Sequence, residues 1–369
     1  MPKYTGESSP LEGNFTSEYY EEESLHDVIF LGDCEVYENF DPIYLWENFG
    51  ITSYIRGNAQ QQLWHSYYIL EDTLRKETPK AVVFNVQELM YDKPQKEEYN
   101  RMTFDGMEWS LSKVKGIMAS KFSNEELIEY VFPILRYHSR ILELDKDDFE
   151  YLFKKRHITH NGYYMRVDVL PASKSQETDI DWLYESYGYG KNEKEEKTEE
   201  DIYDPWADIN TGDEEEQVIP YKNTKDQPFG DMPMKYLDKI RLLCEENDID
   251  LILIKAPSLA PIWYDGYNEQ VVEYAKKNNL QYINFYEKIE ELGVDYEEDT
   301  YDGGLHMNYS GAKKLSKYMG EILSEEYGIE DKRKDETLSK IYGEKKEFHD
   351  KMIEDQNKEL KEFGKIISY

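Results

Sequence analysis

The alternation of short apolar runs with helical segments constrains the fold more than any other feature of the sequence. Residues 27–31 (DVIFL), 51–55 (ITSYI) and 80–86 (KAVVFNV) are apolar runs of the length that forms buried strands. Helical patterns separate them. The first opens at Asp41-Pro42, an N-cap followed by proline, and ends near Gly50, and the second runs from Gln60 to about Lys76. The order β-α-β-α-β predicts a parallel sheet with right-handed crossovers.

The same alternation resumes after a long interruption. Residues 251–255 (LILIK) and 280–285 (LQYINF) are the next apolar runs, and a closing helix is expected from Ala312 to Leu323. We therefore predict an α/β protein, a three-layer α/β/α sandwich around a flavodoxin-like parallel sheet of five strands. Ligand sites in such sheets lie beyond the carboxyl ends of the strands.

The chain divides into three parts by composition. Residues 1–25 read as an acidic leader, and 26–327 as the α/β domain. That domain contains a helical segment at 119–156 and a charge-dense acidic insertion at 172–233. Residues 330–369 form a charged C-terminal helix, whose apolar stripe would pack on the body or on a partner; the stripe consists of Leu338, Ile341, Met352, Leu360 and Phe363.

Charge and cysteine content exclude several classes of protein. Lys and Arg number 44 and Asp and Glu 78, so the net charge is −34 and nucleic-acid binding is not expected. Two cysteines exclude a disulfide framework, and no glycine-rich phosphate loop is present, so we expect no cofactor. His157 and His160 have a ligand-like spacing, but Asn161-Gly162 favours a turn there, and we expect no metal.

The sequence shows neither a signal pattern nor an apolar run that would span a bilayer. This absence has two interpretations: a cytoplasmic protein, or an ectodomain whose targeting segment is missing from this chain.

Cys34 is the first candidate for chemistry. It follows the first predicted strand in LGDCEVYENFDP, where a turn would lift the thiol to the upper edge of the sheet. A helix N-terminus beside it would stabilise the thiolate, so we expect a pKa below that of a free thiol and faster alkylation than at Cys244. The alternative is a small buried cysteine that only fills space.

His306 is the second candidate, in TYDGGLHMNYSGAKKL before the closing helix. Asp302 lies four residues earlier, and a carboxylate on one imidazole nitrogen leaves the other free to accept a proton from a nucleophile. The alternative is a surface histidine with a chance acidic neighbour, which an acidic chain makes common.

Together these segments resemble the SGNH (GDSL-like) hydrolases and acyltransferases. LGDCEVYENFDPIYLWENFGI resembles the first block of that family, and DGGLHMNYSGA the last. The connecting segments are similar to those of clostridial-type members that modify cell-envelope polymers or exopolysaccharides. The resemblance covers roughly 25–110 and 234–327, and it implies a Cys34-His306-Asp302 triad.

Three departures from the family pattern bear on the site. Cys34 stands where the family has serine, and the spacing between Asp302 and His306 is one residue longer than usual, which leaves Asp299 as a weaker substitute. The Gly-x-Asn-Asp block is missing after the third strand. The oxyanion would then be held by the backbone N–H groups of Cys34 and Gly57, together with a side-chain amide from Asn58, Gln60 or Gln87. Lys255 and Trp263 are expected to line the site.

The expected function is therefore an esterase or O-acyltransferase, a hydrolase-like enzyme that acts on acyl groups of a polysaccharide or cell-envelope polymer. The resemblance implies an extracellular or cell-surface location, tethered in the full-length form, with a membrane-bound acyltransferase as partner. The alternative is a non-catalytic polymer-binding or scaffold protein on the same fold. The sequence leaves the oligomeric state open.

Overall fold

The computed structural model of the chain describes residues 15–92, 97–120, 130, 160–174, 228–260, 263 and 265–367. The predicted helical segment 119–156 and acidic insertion 172–233 lie mostly outside these residues. So do residues 1–14 of the predicted leader.

A five-stranded parallel sheet forms the centre of the domain, as predicted. Its strands are β1 (Val28–Gly32), β2 (Ser53–Gly57), β3 (Ala81–Asn85), β4 (Asp250–Lys255) and β5 (Gln281–Asn284). They lie in the order β2-β1-β3-β4-β5, and every neighbouring pair is parallel. The order reverses beside β1, so the loops that follow β1 and β3 diverge at a topological switch point, where sheets of this type bind ligands.

Helices connect and cover the strands. In chain order they are α1 (Phe15–Glu18), α2 (Cys34–Tyr37), α3 (Pro42–Phe49), α4 (Leu63–Thr73), α5 (Glu97–Phe104), α6 (Leu111–Ser120), α7 (Asp231–Glu246), α8 (Asp265–Lys277), α9 (Ile289–Leu292), α10 (Tyr309–Glu325) and α11 (Glu336–Phe363). The predicted cap of α3 is confirmed: the Asp41 carboxylate accepts from the backbone N–H of Ile43 at 2.8 Å, and Gly50 ends the helix with φ of 69°.

Two apolar layers hold the helices on the sheet, because successive strand residues point to opposite faces. On one face, Val28 and Phe30 pack with residues of α3, α10 and α11. On the other face, Ile29 and Leu31 pack with residues of α4, α6, α7 and α8. The result is the predicted three-layer α/β/α sandwich.

The C-terminal helix α11 packs on the body through one side of its length. The ring of Tyr342 stacks on Trp46 with centroids 4.2 Å apart, and His349 Nε2 lies 3.1 Å from Asp41 Oδ2. Phe363, at the end of the predicted apolar stripe, is 50% exposed. Among the helices that the structure describes, none is both long and apolar enough to cross a membrane.

The described part of the predicted leader also packs on the domain. Phe15 and Tyr19 are buried, and the Tyr19 hydroxyl donates to Glu77 Oε1 at 2.7 Å. Residues 15–25 are therefore part of the folded body.

Candidate functional site

Cys34 lies at the carboxyl edge of the sheet, where β1 gives way to α2. Gly32 ends the strand, Asp33 caps the helix by accepting from Glu35 N at 3.2 Å, and Cys34 is the first helical residue. Gly57, at the end of β2, lies beside this turn: a Cβ there would be 2.8 Å from the carbonyl oxygen of Gly32. The close approach of the two chains therefore requires glycine at position 57.

His306 reaches the same edge from the loop before α10. Its Nδ1 lies 2.6 Å from Asp302 Oδ2, and its backbone N–H donates to Asp302 Oδ1 at 2.9 Å. Gly303 and Gly304 have φ of 79° and 103°. These positive φ angles let the loop turn tightly enough for Asp302 to reach His306 across the longer spacing. Asp302 is therefore the carboxylate that orients His306. Asp299 instead lies 2.5 Å from Lys314 Nζ.

The imidazole of His306 and the thiol of Cys34 interact, since each shifts the pKa of the other. His306 Nε2 is buried and meets hydrogen-bond geometry with no atom of the described chain. The nitrogen opposite Asp302 is therefore available to the thiol or to a substrate group, which is the arrangement that a general base requires.

The predicted acidity of Cys34 is wrong. Burial raises the pKa of the thiol to about 12, although the charge of His306 opposes this shift. Asp33 and Glu38 add to the increase, because their negative charges disfavour a thiolate. Cys34 is partly exposed while Cys244 is buried, and burial raises the pKa of Cys244 to about 12 as well.

A second carboxylate, Glu38, also faces His306. Glu38 Oε2 lies 3.4 Å from His306 Nδ1 and accepts a short hydrogen bond from the Tyr301 hydroxyl. Despite burial, the charges of Glu38, Cys34 and Asp302 keep the pKa of His306 well above its ordinary value.

Among the described residues, Glu38, Asp302 and His306 also bring possible metal-ligand atoms close together, but the hydrogen bond between Nδ1 and Asp302 argues against a metal site. Their ligand atoms lie within 4.8 Å of one another. Nδ1 could bind an ion in this cluster only by giving up its hydrogen bond to Asp302, because a protonated nitrogen is not a ligand.

A buried polar network lies next to Cys34 and holds its turn. Lys255 Nζ donates to Glu35 Oε2 at 2.7 Å, and Asn85 Nδ2 donates to Glu35 Oε2 at 3.2 Å and to Asp33 Oδ1 at 3.3 Å. Burial, together with the charge of Glu35, raises the pKa of Asp33 to about 7. Lys255 thus contributes to the site through the turn of Cys34.

Two of the predicted oxyanion side chains are engaged elsewhere. Asn58 Nδ2 donates to Thr16 Oγ1 at 3.2 Å and to Gln61 Oε1 at 3.0 Å, so both amide hydrogens are used. Gln60 Nε2 donates to the Tyr99 hydroxyl at 3.3 Å. In this conformation neither amide serves an oxyanion at Cys34.

The other two predicted lining residues are buried near strand ends. Gln87 lies in the turn after β3, and its Oε1 is buried without a hydrogen-bond partner in the described residues. Trp263 packs against Tyr267 with ring centroids 5.7 Å apart, and Lys255 Nζ lies 5.6 Å from its ring centre. Trp263 therefore adjoins Lys255 rather than standing free above the sheet.

Sequence reasoning missed four residues of this site, namely Glu35, Glu38, Asn85 and Tyr301. A usable signal existed for Asn85, because an amide at the carboxyl end of an otherwise apolar strand meets the ligand edge. The acidic residues gave no such signal in a chain with 78 of them.

Comparison of the chain with protein-family models and with curated proteins found no match.

Proposed function

We propose that the chain is a cysteine-dependent acyl-transfer enzyme of the SGNH type, an esterase or O-acyltransferase. The observation that carries the proposal is the convergence of Cys34, His306 and Asp302 at the carboxyl edge of the sheet, with Asp302 on one imidazole nitrogen and the imidazole acting on the Cys34 thiol. Segments about 270 positions apart in the chain meet there. They place a nucleophile, an imidazole and a carboxylate side by side, which is the arrangement that acyl transfer uses.

In the first half of the reaction, His306 Nε2 takes the thiol proton of Cys34 as the sulfur attacks the acyl carbonyl carbon. The new C–S bond converts the carbonyl to an oxyanion, and its collapse breaks the C–O bond of the ester. The alcohol leaves with the proton from Nε2, and a thioester remains on Cys34.

In the second half, a sugar hydroxyl or water gives its proton to Nε2 and attacks the thioester. The C–S bond breaks and the thiol regains the proton. Asp302 keeps Nδ1 protonated and the ring oriented in both halves.

The class of substrate follows from the resemblance of the two motif segments. They are similar to enzymes that modify polysaccharides or cell-envelope polymers, which also supports an extracellular or cell-surface location and a membrane-bound acyltransferase as partner. The carboxylates of Glu38 and Asp302 beside the Cys34–His306 pair favour neutral acyl groups such as acetyl over anionic ones.

A second candidate function, a polymer-binding or scaffold protein, is favoured by one specific observation. The raised pKa of Cys34 and the engaged amide of Asn58 leave the site without a ready thiolate and without that oxyanion donor. A binding protein requires neither group.

Turnover of p-nitrophenyl acetate by Cys244→Ala, compared with the Cys34→Ala/Cys244→Ala double variant, separates the two candidates. We expect release of nitrophenol and an acetyl group on Cys34 in the intact mass of the quenched single variant, and neither in the double variant. Asp302→Asn should slow release by at least about tenfold, because the imidazole loses its orienting partner. Equal turnover with and without Cys34, or absence of turnover and of acetylated protein across the pH range, would favour the binding protein.

A further inference from the structure

The imidazole of His306 faces a second carboxylate, Glu38, which a catalytic triad does not require. His306 has two carboxylates near one nitrogen: Asp302 at 2.6 Å and Glu38 at 3.4 Å. A single carboxylate suffices to orient an imidazole. The second adds negative charge on the side of the ring that already carries the proton.

Glu38 is held at this position by its surroundings. It is the C-cap of the four-residue helix that Cys34 begins, so the nucleophile and Glu38 move as one unit. The Tyr301 hydroxyl donates to Glu38 Oε2, and the Tyr301 ring lies nearly parallel to the His306 ring, with centroids 6.3 Å apart and planes at 21°. Tyr301 in turn lies under the guanidinium of Arg166, 4.5 Å from its ring centre.

We propose that Glu38 is a positioning residue that keeps the Cys34–His306 pair in its doubly protonated form and so sets the pH above which Cys34 becomes reactive. The inference rests on the function proposed above, where Cys34 is the nucleophile. Every reactive form of the pair, either thiolate with imidazolium or thiol with neutral imidazole, has lost one proton from that resting form.

The groups that face this pair come from three parts of the chain. Asp33 and Glu38 lie at the two ends of α2, and Tyr301 and Asp302 lie in the loop that carries His306. Lys255 lies further away, on Glu35. The carboxylates outnumber the cations around the pair, and each one opposes loss of its first proton.

Removing the charge of Glu38 should therefore make Cys34 reactive at lower pH. A carboxylate within about 4–6 Å moves a pKa by about 1–3 units, so Glu38→Gln should shift the pH profile of Cys34 alkylation by at least about one unit toward acid. Below the midpoint the rate should rise about tenfold. At high pH it should be equal or slightly lower, since nucleophilicity falls as a thiol becomes more acidic.

The experiment measures the iodoacetamide rate against pH in a Cys244→Ala background, so that only Cys34 reports. Glu344→Gln, which removes one exposed carboxylate from α11, is the charge-matched control and should leave the profile unchanged. Glu38→Asp should retain most of the parent profile, and Tyr301→Phe should shift it in the direction of Glu38→Gln by a smaller amount.

The alkylation assay needs no acyl transfer. The role of Glu38 and the proposed enzymatic function can therefore be refuted independently of each other. A parent-like profile in folded Glu38→Gln, checked by circular dichroism, would refute the role of Glu38 even if ester turnover depends on Cys34. A shifted profile without ester turnover in any variant would support the role of Glu38 and count against the enzyme.

Discussion

The ion pair between Lys255 and Glu35 should be one of the most sensitive points of the fold. Its side chains come from β4 and α2, are 3% and 4% exposed, and meet at 2.7 Å. Removing one partner from such a pair leaves a buried uncompensated charge, which costs about 3–5 kcal/mol. Lys255→Met keeps an unbranched apolar stem as far as Cε and removes the ammonium group.

The residues around Glu35 determine how much stability the variant loses. Asn85 donates to Glu35 at 3.2 Å, but the neighbouring Asp33 is a second carboxylate, and burial together with the charge of Glu35 raises its pKa. We therefore expect a loss of about 3 kcal/mol or more in the free energy of unfolding at neutral pH.

Urea unfolding followed by tryptophan fluorescence and circular dichroism measures this loss. Lys351→Met is the matched control: its ammonium lies 2.6 Å from Asp355, but these side chains are 68% and 39% exposed, so the change should cost less than about 1 kcal/mol. In the double variant Lys255→Met/Glu35→Gln, at least half of the loss should be recovered, because no charge is left unpaired. The reasoning is refuted if Lys255→Met costs no more than Lys351→Met, or if the two changes at the buried pair are additive.

Two further predictions concern protonation at the site and the docking of the C-terminal helix. Because the pKa of Asp33 is raised to about 7, the folded chain holds a proton that the unfolded chain releases near its ordinary pKa, so the stability contributed by Asp33 falls as pH rises from about 4 to about 7. Asp33→Asn should flatten this part of the stability profile in urea titrations, and an unchanged slope would contradict it. Tyr342→Ala should cost about 3 kcal/mol or more, since its ring is fully buried on Trp46, and should release α11 early to limited proteolysis. Phe363→Ala, on the exposed end of the same helix, should cost less than about 0.5 kcal/mol, and equal losses in the two variants would argue against the observed docking.

The sheet was predictable because its strands are short, apolar and separated by capped helices. The boundary of β2 was placed two residues early, at 51–55 instead of Ser53–Gly57. Ile51 and Thr52 are buried without belonging to the strand, so hydrophobicity alone could not mark its start. The wider lesson is that burial patterns predict which segments lie in the core more accurately than where hydrogen bonding begins.

The positions of Cys34, His306 and Asp302 were also predictable, because residues that follow parallel strands meet at one edge of the sheet. Their supporting partners were not. Lys255 and Glu35 are 220 residues apart and have opposite charges in a chain rich in both. Glu38 is the C-cap of the one-turn helix α2, and this places its carboxylate beside His306. Sequence patterns do not reveal which carboxylates of so short a helix face the interior.

For Cys34 the sequence predicted the location at the edge of the sheet, but not the pKa of the thiol. The expected thiolate relied on the N-terminus of a helix, but α2 has four residues, and the charge at a helix end arises from several aligned turns. Burial and the charges of Asp33 and Glu38 outweigh it and raise the pKa of the thiol. A thiol with a pKa of about 12 resembles a hydroxyl in needing a base to remove its proton as it attacks. In the proposed acyl-transfer reaction, His306 would therefore act as a general base toward a neutral thiol.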